Sequence, residues 1–527
     1  MTQRPAATIL TAAAVRPDYR PGQRPFRHIV ISGGKVVALA RTPAQAARAA
    51  GSPARRVDLG SAFVGPGFID THIHALQAAA DARLTGLREA RTIGDVLAAV
   101  RAAGLGRAPG EWTVTARNWH ESQLSEGRLP TRAELDALGP PGPVLLRRGS
   151  HLAVLNSRAA ALLGEAAAGD APLTDDALIG RVVGLAGPPT ALRRREDLAT
   201  VLRRLAGLGL TSIREAGADA GEFALFRDLR DQGRLPLRCD VLWRVAEGSD
   251  AAAARDQIAA MPPAGPDGDP FLRLTGVKAF VDGRIADAAV DGAGPGALRL
   301  SPGELWQIVA QALRRSPGIG CHAVGDRAVA MVLGAYERAL SAGLARDPRR
   351  LVVEHALDCA PETIRRLAAS GVAVSAHPGI VYEFAGDVRE CWGARAAARA
   401  APVRDLVGAG VRVAAGSDGD VPPSDPLRVI WFMATREARS GGSIGAGQSV
   451  PRDVAFDLYT RRAGGLLETA TLRGVLRPGA DADLVAFPAD PLSCPLDELP
   501  GLEIMLTLVG GRAVHDPAGL MREGGGG

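Results

Sequence analysis

Residues Gly65 to His74 read G-P-G-F-I-D-T-H-I-H and contain the first side chains in the chain that could do chemistry together. Phe68 and Ile69 favour a strand, and Asp70, His72 and His74 then recur at period two, so all three leave one face of it. Two imidazoles at i and i+2 can point at one ion, and neutral imidazole is a preferred ligand for zinc and similar metals. An H-x-H pair is a weak signal alone, but it has company downstream. His322 follows in C-H-A-V-G-D-R-A, His355 in V-E-H-A and Asp418 in A-G-S-D, each closing an apolar run, while Lys278 lies within one, in V-K-A-F-V-D-G.

The lysine is informative because lysine is scarce. Of 62 Lys and Arg residues only two are lysine, Lys35 and Lys278. Arginine covers most ion-pairing roles but cannot supply a readily deprotonated amine. Lys35 follows Gly33-Gly34, an expected hairpin turn, whereas Lys278 sits in an apolar strand where a free ammonium is costly. If the Lys278 amine adds carbon dioxide it becomes a carbamate, an anionic bidentate group able to bridge two metals. Four imidazoles and a carboxylate can hold one or two divalent ions. Water bound to such an ion becomes a nucleophile near neutral pH, and Asp418 can take its proton and pass it to a leaving group.

These residues need elements to bring them together. The centre of the chain alternates strands and helices, with eight expected strands starting near residues 68, 211, 238, 274, 319, 351, 372 and 411. Eight β–α units point to an α/β fold, a closed (β/α)8 TIM-like barrel whose strand ends meet on one face. His72, His74, His322, His355 and Asp418 all fall at such ends. Both ends of the chain read as short strands, and together they should build one small β-sandwich. The expected division is therefore 1–65 for the first part of the sandwich, 66–470 for the barrel with an insertion at about 75–200, and 471–520 for the rest of the sandwich.

Bulk composition removes several classes. With 527 residues, 46% of them apolar, the chain can bury a large core. It contains no apolar run of membrane-spanning length and no secretory leader pattern, so a cytoplasmic protein is expected. The net charge of +5 is spread over short arginine runs, and aromatics are only 4%, which disfavours a nucleic-acid interface. Five cysteines without a C-x-x-C pair suggest reduced thiols. The expected partners are a small-molecule substrate and, for assembly, a second copy of the chain as a homodimer.

At these residues the chain resembles the amidohydrolase superfamily, specifically the branch known as amidohydrolase family 3, or YtcJ-like metal-dependent hydrolases. The resembling stretches are PGFIDTHIH, LLRRGSHLAVLNSRAA, GVKAFVDG, HAVGDRAV, VVEHA, VRDLVGAGVRVAAGSD and LRPGADADLVAF, in that order over about 66 to 487. The resemblance implies a metal-bearing barrel and hydrolysis of a C–N bond outside ordinary peptides. It makes His72, His74, His322 and His355 ligands of one or two divalent metals, expected to be zinc, with Lys278 as a carboxylated bridge and Asp418 as ligand and general base. It also places His151, as a carbonyl-polarising or substrate-binding group, and Asn156, as a substrate-binding residue, in the pocket. Two departures bear on the substrate. The family often reads D-G-S-L-G-S after the lysine, where this chain has Asp282-Gly283-Arg284-Ile285-Ala286-Asp287, and it often has Gln-Pro after strand seven, where this chain has His377-Pro378. Asp282 and His377 are accordingly candidate substrate contacts. The implied reaction is hydrolysis of an amide or N-substituted formamide. A deaminase or cyclic-amide hydrolase would use the same water activation, and a non-catalytic homologue would be expected to have lost Asp418 or one of the histidines.

Overall fold

The structure, a computed structural model, describes residues 7–51, 53–108, 110–117, 119–139, 142–149, 152–164, 169–187, 189–263, 269–292, 296–419, 424–467 and 473–522. Eight strands run parallel and neighbour one another in chain order: β1 (Phe68–Ile73), β2 (Leu210–Ala218), β3 (Arg238–Arg244), β4 (Leu272–Phe280), β5 (Ile319–Ala323), β6 (Leu351–His355), β7 (Ala373–Ala376) and β8 (Arg412–Ala415). Each matches an expected strand, although β2 continues beyond Arg214 to Ala218. Their residues are almost all buried, as strands covered on both faces must be. The helices between them carry their own start and stop signals. Ser301 and Glu304 form a reciprocal cap on Pro302–Arg315, and Gly371, in the left-handed region at φ 71°, ends Pro361–Ser370.

The seam at which β8 returns to β1 is closed by individual hydrogen bonds. The Thr71 hydroxyl donates to Ala415 O (3.0 Å), and Asp418 N donates to His72 O (2.8 Å). This seam is also where the chemistry collects.

A second eight-stranded sheet draws on both ends of the chain. Ala7–Val15, Phe26–Ser32, Lys35–Ala40, Ala54–Asp58 and Phe63–Pro66 join Leu484–Phe487, Leu506–Val509 and Arg512–His515. Leu10, Ile29, Val64, Leu484 and Leu508 contribute to its core. Phe63–Pro66 pairs antiparallel with Leu484–Phe487, and one residue later the same segment has become β1.

The chain divides into two compact units. One runs to His74, resumes at Leu202 and contains both large sheets; the other is built from Ala75–Val201. The second unit, the segment read from sequence as an insertion, has a three-stranded sheet of Thr113–Val114, Val144–Arg148 and Leu152–Leu155 with helices around it. All five cysteines are free. No helix among the described residues is long and apolar enough to cross a membrane.

Candidate metal centre

Asp70, buried on β1, sets the frame of the site. Its Oδ1 accepts from His72 N and from Ser417 N, each at 3.0 Å, so the loop after β8 is held against the end of β1. The approach is close enough to require glycine at 416, because a Cβ there would lie 2.7 Å from His72 N and 3.1 Å from His377 Cδ2. Asp418 follows in the left-handed region, at φ 56°. Its Oδ1 lies 3.1 Å from His72 Nε2 and 3.3 Å from His74 Nε2.

The other nitrogen of His72 shows which proton it carries. Nδ1 is 2.7 Å from Glu354 Oε2, and Glu354 Oε1 accepts from Arg214 at 2.6 Å. Arg214 also donates to Thr71 O (2.6 Å). All three side chains are buried. The Arg214 guanidinium and His72 hold the Glu354 carboxyl well below the usual range despite burial, which alone would raise it. A carboxylate only accepts, so His72 carries its proton on Nδ1 and presents a lone pair at Nε2. That lone pair faces an oxygen of Asp418. Two acceptors 3.1 Å apart repel, and a cation between them would reconcile them.

His355 reaches the same place by a backbone exception. Successive strand residues point to opposite faces, and Glu354 already points inward to His72. A φ of 77° at His355 breaks the alternation and brings its ring within 4.9 Å of the His72 ring. His355 Nε2 is buried with no hydrogen-bond partner among the described residues. His72, His355, His377 and Asp418 each offer one ligand atom, all within 4.8 Å of one another. Imidazole and carboxylate donors of these kinds fit a divalent ion, and three of the four suffice.

Around it stand the remaining expected ligands. Lys278 Nζ is buried 3.4 Å from His72 Nε2, and burial lowers its amine to a pKa of about 8. The His322 ring lies 4.3 Å from that of His355, and its Nε2 donates to Gly283 O at 3.0 Å. Burial, with Lys278 adding to it, lowers His322 to about 3, and burial also holds His72, His355 and His377 below the ordinary imidazole value. For His74, burial is outweighed by the Asp418 carboxylate, and its pKa is raised. Burial alone would raise the Asp418 carboxyl, but the imidazoles around it, His74 among them, hold it well below its ordinary value. Apart from His74, the cluster thus combines neutral imidazoles with an ionised acid, the protonation states that ligands need.

Other sequence candidates sit differently. Asp282 is fully buried, with Oδ1 accepting from Val324 N (2.9 Å) and Oδ2 from Gly325 N (2.9 Å) and Ala289 N (3.1 Å). Its carboxylate ties together the loops after β4 and β5. In the second unit, Asn156 Oδ1 accepts from Val144 N and Ala159 N and its Nδ2 donates to Gly142 O, so the amide caps helix Ser157–Leu163 and braces a strand. His151 lies outside the described residues. His377, expected as a substrate contact, is fully buried inside the cluster. Glu354 and Arg214 are not singled out by residue type or motif in the sequence. The one local signal was the acid directly before His355 in V-E-H-A.

With this geometry in view, the sequence pattern of the amidohydrolase family matches residues 55–515. The chain belongs to the amidohydrolase family. It is a metal-dependent hydrolase acting on carbon–nitrogen bonds. Among its relatives, the N-substituted formamide deformylase of Arthrobacter pascens is 27% identical, over 93% of this chain and 95% of that protein. YtcJ of Bacillus subtilis (strain 168) is 24% identical over 88% and 92%. A crystal structure of an uncharacterized metal-dependent hydrolase from Pyrococcus furiosus superposes with a TM-score of 0.73 at 23% identity, covering 92% of this chain and all of that one. This last likeness is one of fold.

Proposed function

We propose that this amidohydrolase cleaves the C–N bond of small N-substituted formamides or closely related amides, yielding a carboxylic acid and an amine. The observation that carries the site assignment is the pair of facing acceptors, His72 Nε2 and Asp418 Oδ1, beside the unpartnered Nε2 of His355. The substrate class is supported by the activity in the name of the Arthrobacter relative. His72, His74, His322 and His355, with Lys278 and Asp418, would hold one or two ions, with zinc the metal best matched to imidazole-rich donors. A bound ion lowers the pKa of the water it holds and polarises a carbonyl oxygen. Asp418 takes the proton of the attacking water as its oxygen bonds to the carbonyl carbon. The same carboxyl then returns the proton to nitrogen as the C–N bond breaks, so that the amine leaves neutral. The Glu354–Arg214 pair keeps the His72 proton on Nδ1, away from the metal side. His151 is proposed as a carbonyl-polarising group on its sequence pattern.

The test is a product assay on zinc-loaded protein with N-alkyl and N-aryl formamides, simple amides, cyclic amides and amino-heterocycles. Equimolar formate and amine are expected. Ammonia release from amino-heterocycles, or ring opening of cyclic amides, with no formate from any formamide would sink the substrate assignment. Asp418→Asn should lower kcat by roughly 10²–10⁴-fold with zinc content retained, and unchanged turnover would remove Asp418 as the base.

A further inference from the structure

His377 stands within the cluster, yet the hydrogen bonds around it define which of its nitrogens bears a proton. Ala415 O can only accept, so the single hydroxyl proton of Thr71 goes to it (3.0 Å). Thr71 Oγ1 and Ser375 Oγ lie 2.7 Å apart. With the Thr71 proton already committed, Ser375 must be the donor in that pair. Ser375 Oγ is then left as an acceptor toward His377 Nε2, at 3.1 Å, so His377 carries its proton on Nε2. Its Nδ1 is a bare lone pair, and it lies 2.6 Å from Nδ1 of His355. For these two nitrogens to bond, the proton between them belongs to His355. The remaining nitrogen of His355, Nε2, is consequently unprotonated, and it is the buried atom that has no partner among the described residues. Thr71, Ser375 and His377 are fully buried and His355 nearly so, so each polar group must find its partner within the protein.

We propose that His377 is a positioning residue and not a metal ligand: it accepts the Nδ1 proton of His355 and so presents His355 Nε2 to the metal, with both tautomers set by a hydroxyl relay, Thr71 to Ser375, anchored on Ala415 O. The relay crosses the seam between β8 and β1, so barrel closure and ligand orientation depend on the same hydrogen bonds. An acceptor for the second nitrogen of a metal-bound histidine is ordinarily a carboxylate or carbonyl oxygen. Here a second imidazole does that work. This inference rests on the metal centre proposed above.

The discriminating variant is His377→Gln. A glutamine has one acceptor and one donor group, so Oε1 can accept from His355 and Nε2 can donate to Ser375, but it is a poor substitute for imidazole as a zinc ligand. Zinc affinity is measured on metal-free protein by competition with a chromophoric chelator, and circular dichroism checks that each variant is folded. His377→Ala should weaken zinc binding about 10–100-fold, and His377→Gln should recover most of that loss. Nitrogen-15 shifts of the metal-free protein should assign Nε2–H to His377 and Nδ1–H to His355, and Ser375→Ala should blur the His377 assignment. Affinity as weak in His377→Gln as in His377→Ala would make His377 a direct ligand and overturn the proposal. Unchanged affinity in His377→Ala would also overturn it. Wild-type protein that takes up no zinc would instead overturn the metal centre itself.

Discussion

Glu354 is answered from two sides in the buried interior, by His72 at 2.7 Å and by Arg214 at 2.6 Å. A Cβ at position 320 would lie 2.2 Å from its Oε1, so Gly320 keeps open the space the pair needs. Removing the acid would leave a buried guanidinium unpaired, and Glu354→Ala should destabilise the fold by about 3–5 kcal/mol, measured by urea unfolding. A loss under about 1 kcal/mol would mean that water replaces the acid, contrary to its burial. Lys278 has its amine lowered to about 8 by burial, so an appreciable fraction is unprotonated at mildly alkaline pH and can add carbon dioxide. Labelled bicarbonate should produce a carbamate carbon resonance in the wild type that Lys278→Ala lacks, and a spectrum without it would leave the lysine as an amine. Most of the site was legible as residue types, since histidine and aspartate at strand ends are not what packing selects. The protonation pattern was not. It depends on Glu354, Thr71 and Ser375, whose sequence contexts are those of ordinary strand residues, and on a positive φ at His355 that no local motif announced.

The eight barrel strands were readable because each is a short stretch rich in apolar residues and a helical segment separates it from the next. The segments after β7 and β8 were harder to read. Pro378–Glu383, Ala385–Ala397 and Pro426–Thr435 are helices, and the second of them contains Gly393 at φ 71°, which breaks it into two pieces and blurs its apolar stripe. Caps also give a helix its own pH response. Glu134 closes the capping box on Arg132–Ala137 and pairs with Arg128, which, with the Thr131 amide, pulls its carboxyl from an ordinary 4.5 down to about 2. A depressed folded-state pKa contributes stability that is complete above the unfolded value and fades as pH falls through the folded one. Glu134→Gln keeps the cap and loses the ion pair. Acid-unfolding curves of variant and wild type should therefore differ above pH 4.5 and converge as pH falls to about 2. Curves that diverge on acidification would reverse the sign of this contribution.

At the scale of the whole molecule, the sheet built from both ends is tied to the barrel by a buried ionic cluster. Arg238 of β3 pairs with Asp483 through Nε (2.7 Å) and Nη2 (3.0 Å), and Arg473 pairs with Asp240 at 3.2 Å; Lys35, partly exposed on the terminal sheet, pairs with Asp481 at 2.7 Å. The Lys35 contact is a point-charge pair of the sort arginine also makes, so the scarcity of lysine singles out Lys278 alone. Arg238→Ala would strand Asp483 in the interior and should cost about 3–5 kcal/mol in urea unfolding, with zinc affinity of the folded protein unchanged. A parallel loss of zinc affinity would mean that the cluster also shapes the centre. Pairing of Phe63–Pro66 with Leu484–Phe487 has one more consequence, and it concerns time. These partners lie about 420 residues apart in the chain, so at roughly 5–20 residues per second the earlier strand waits some 20–80 s on the ribosome for the later one. Throughout that interval its edge is an open template, and the nascent chain must be guarded until nearly all of it has been made.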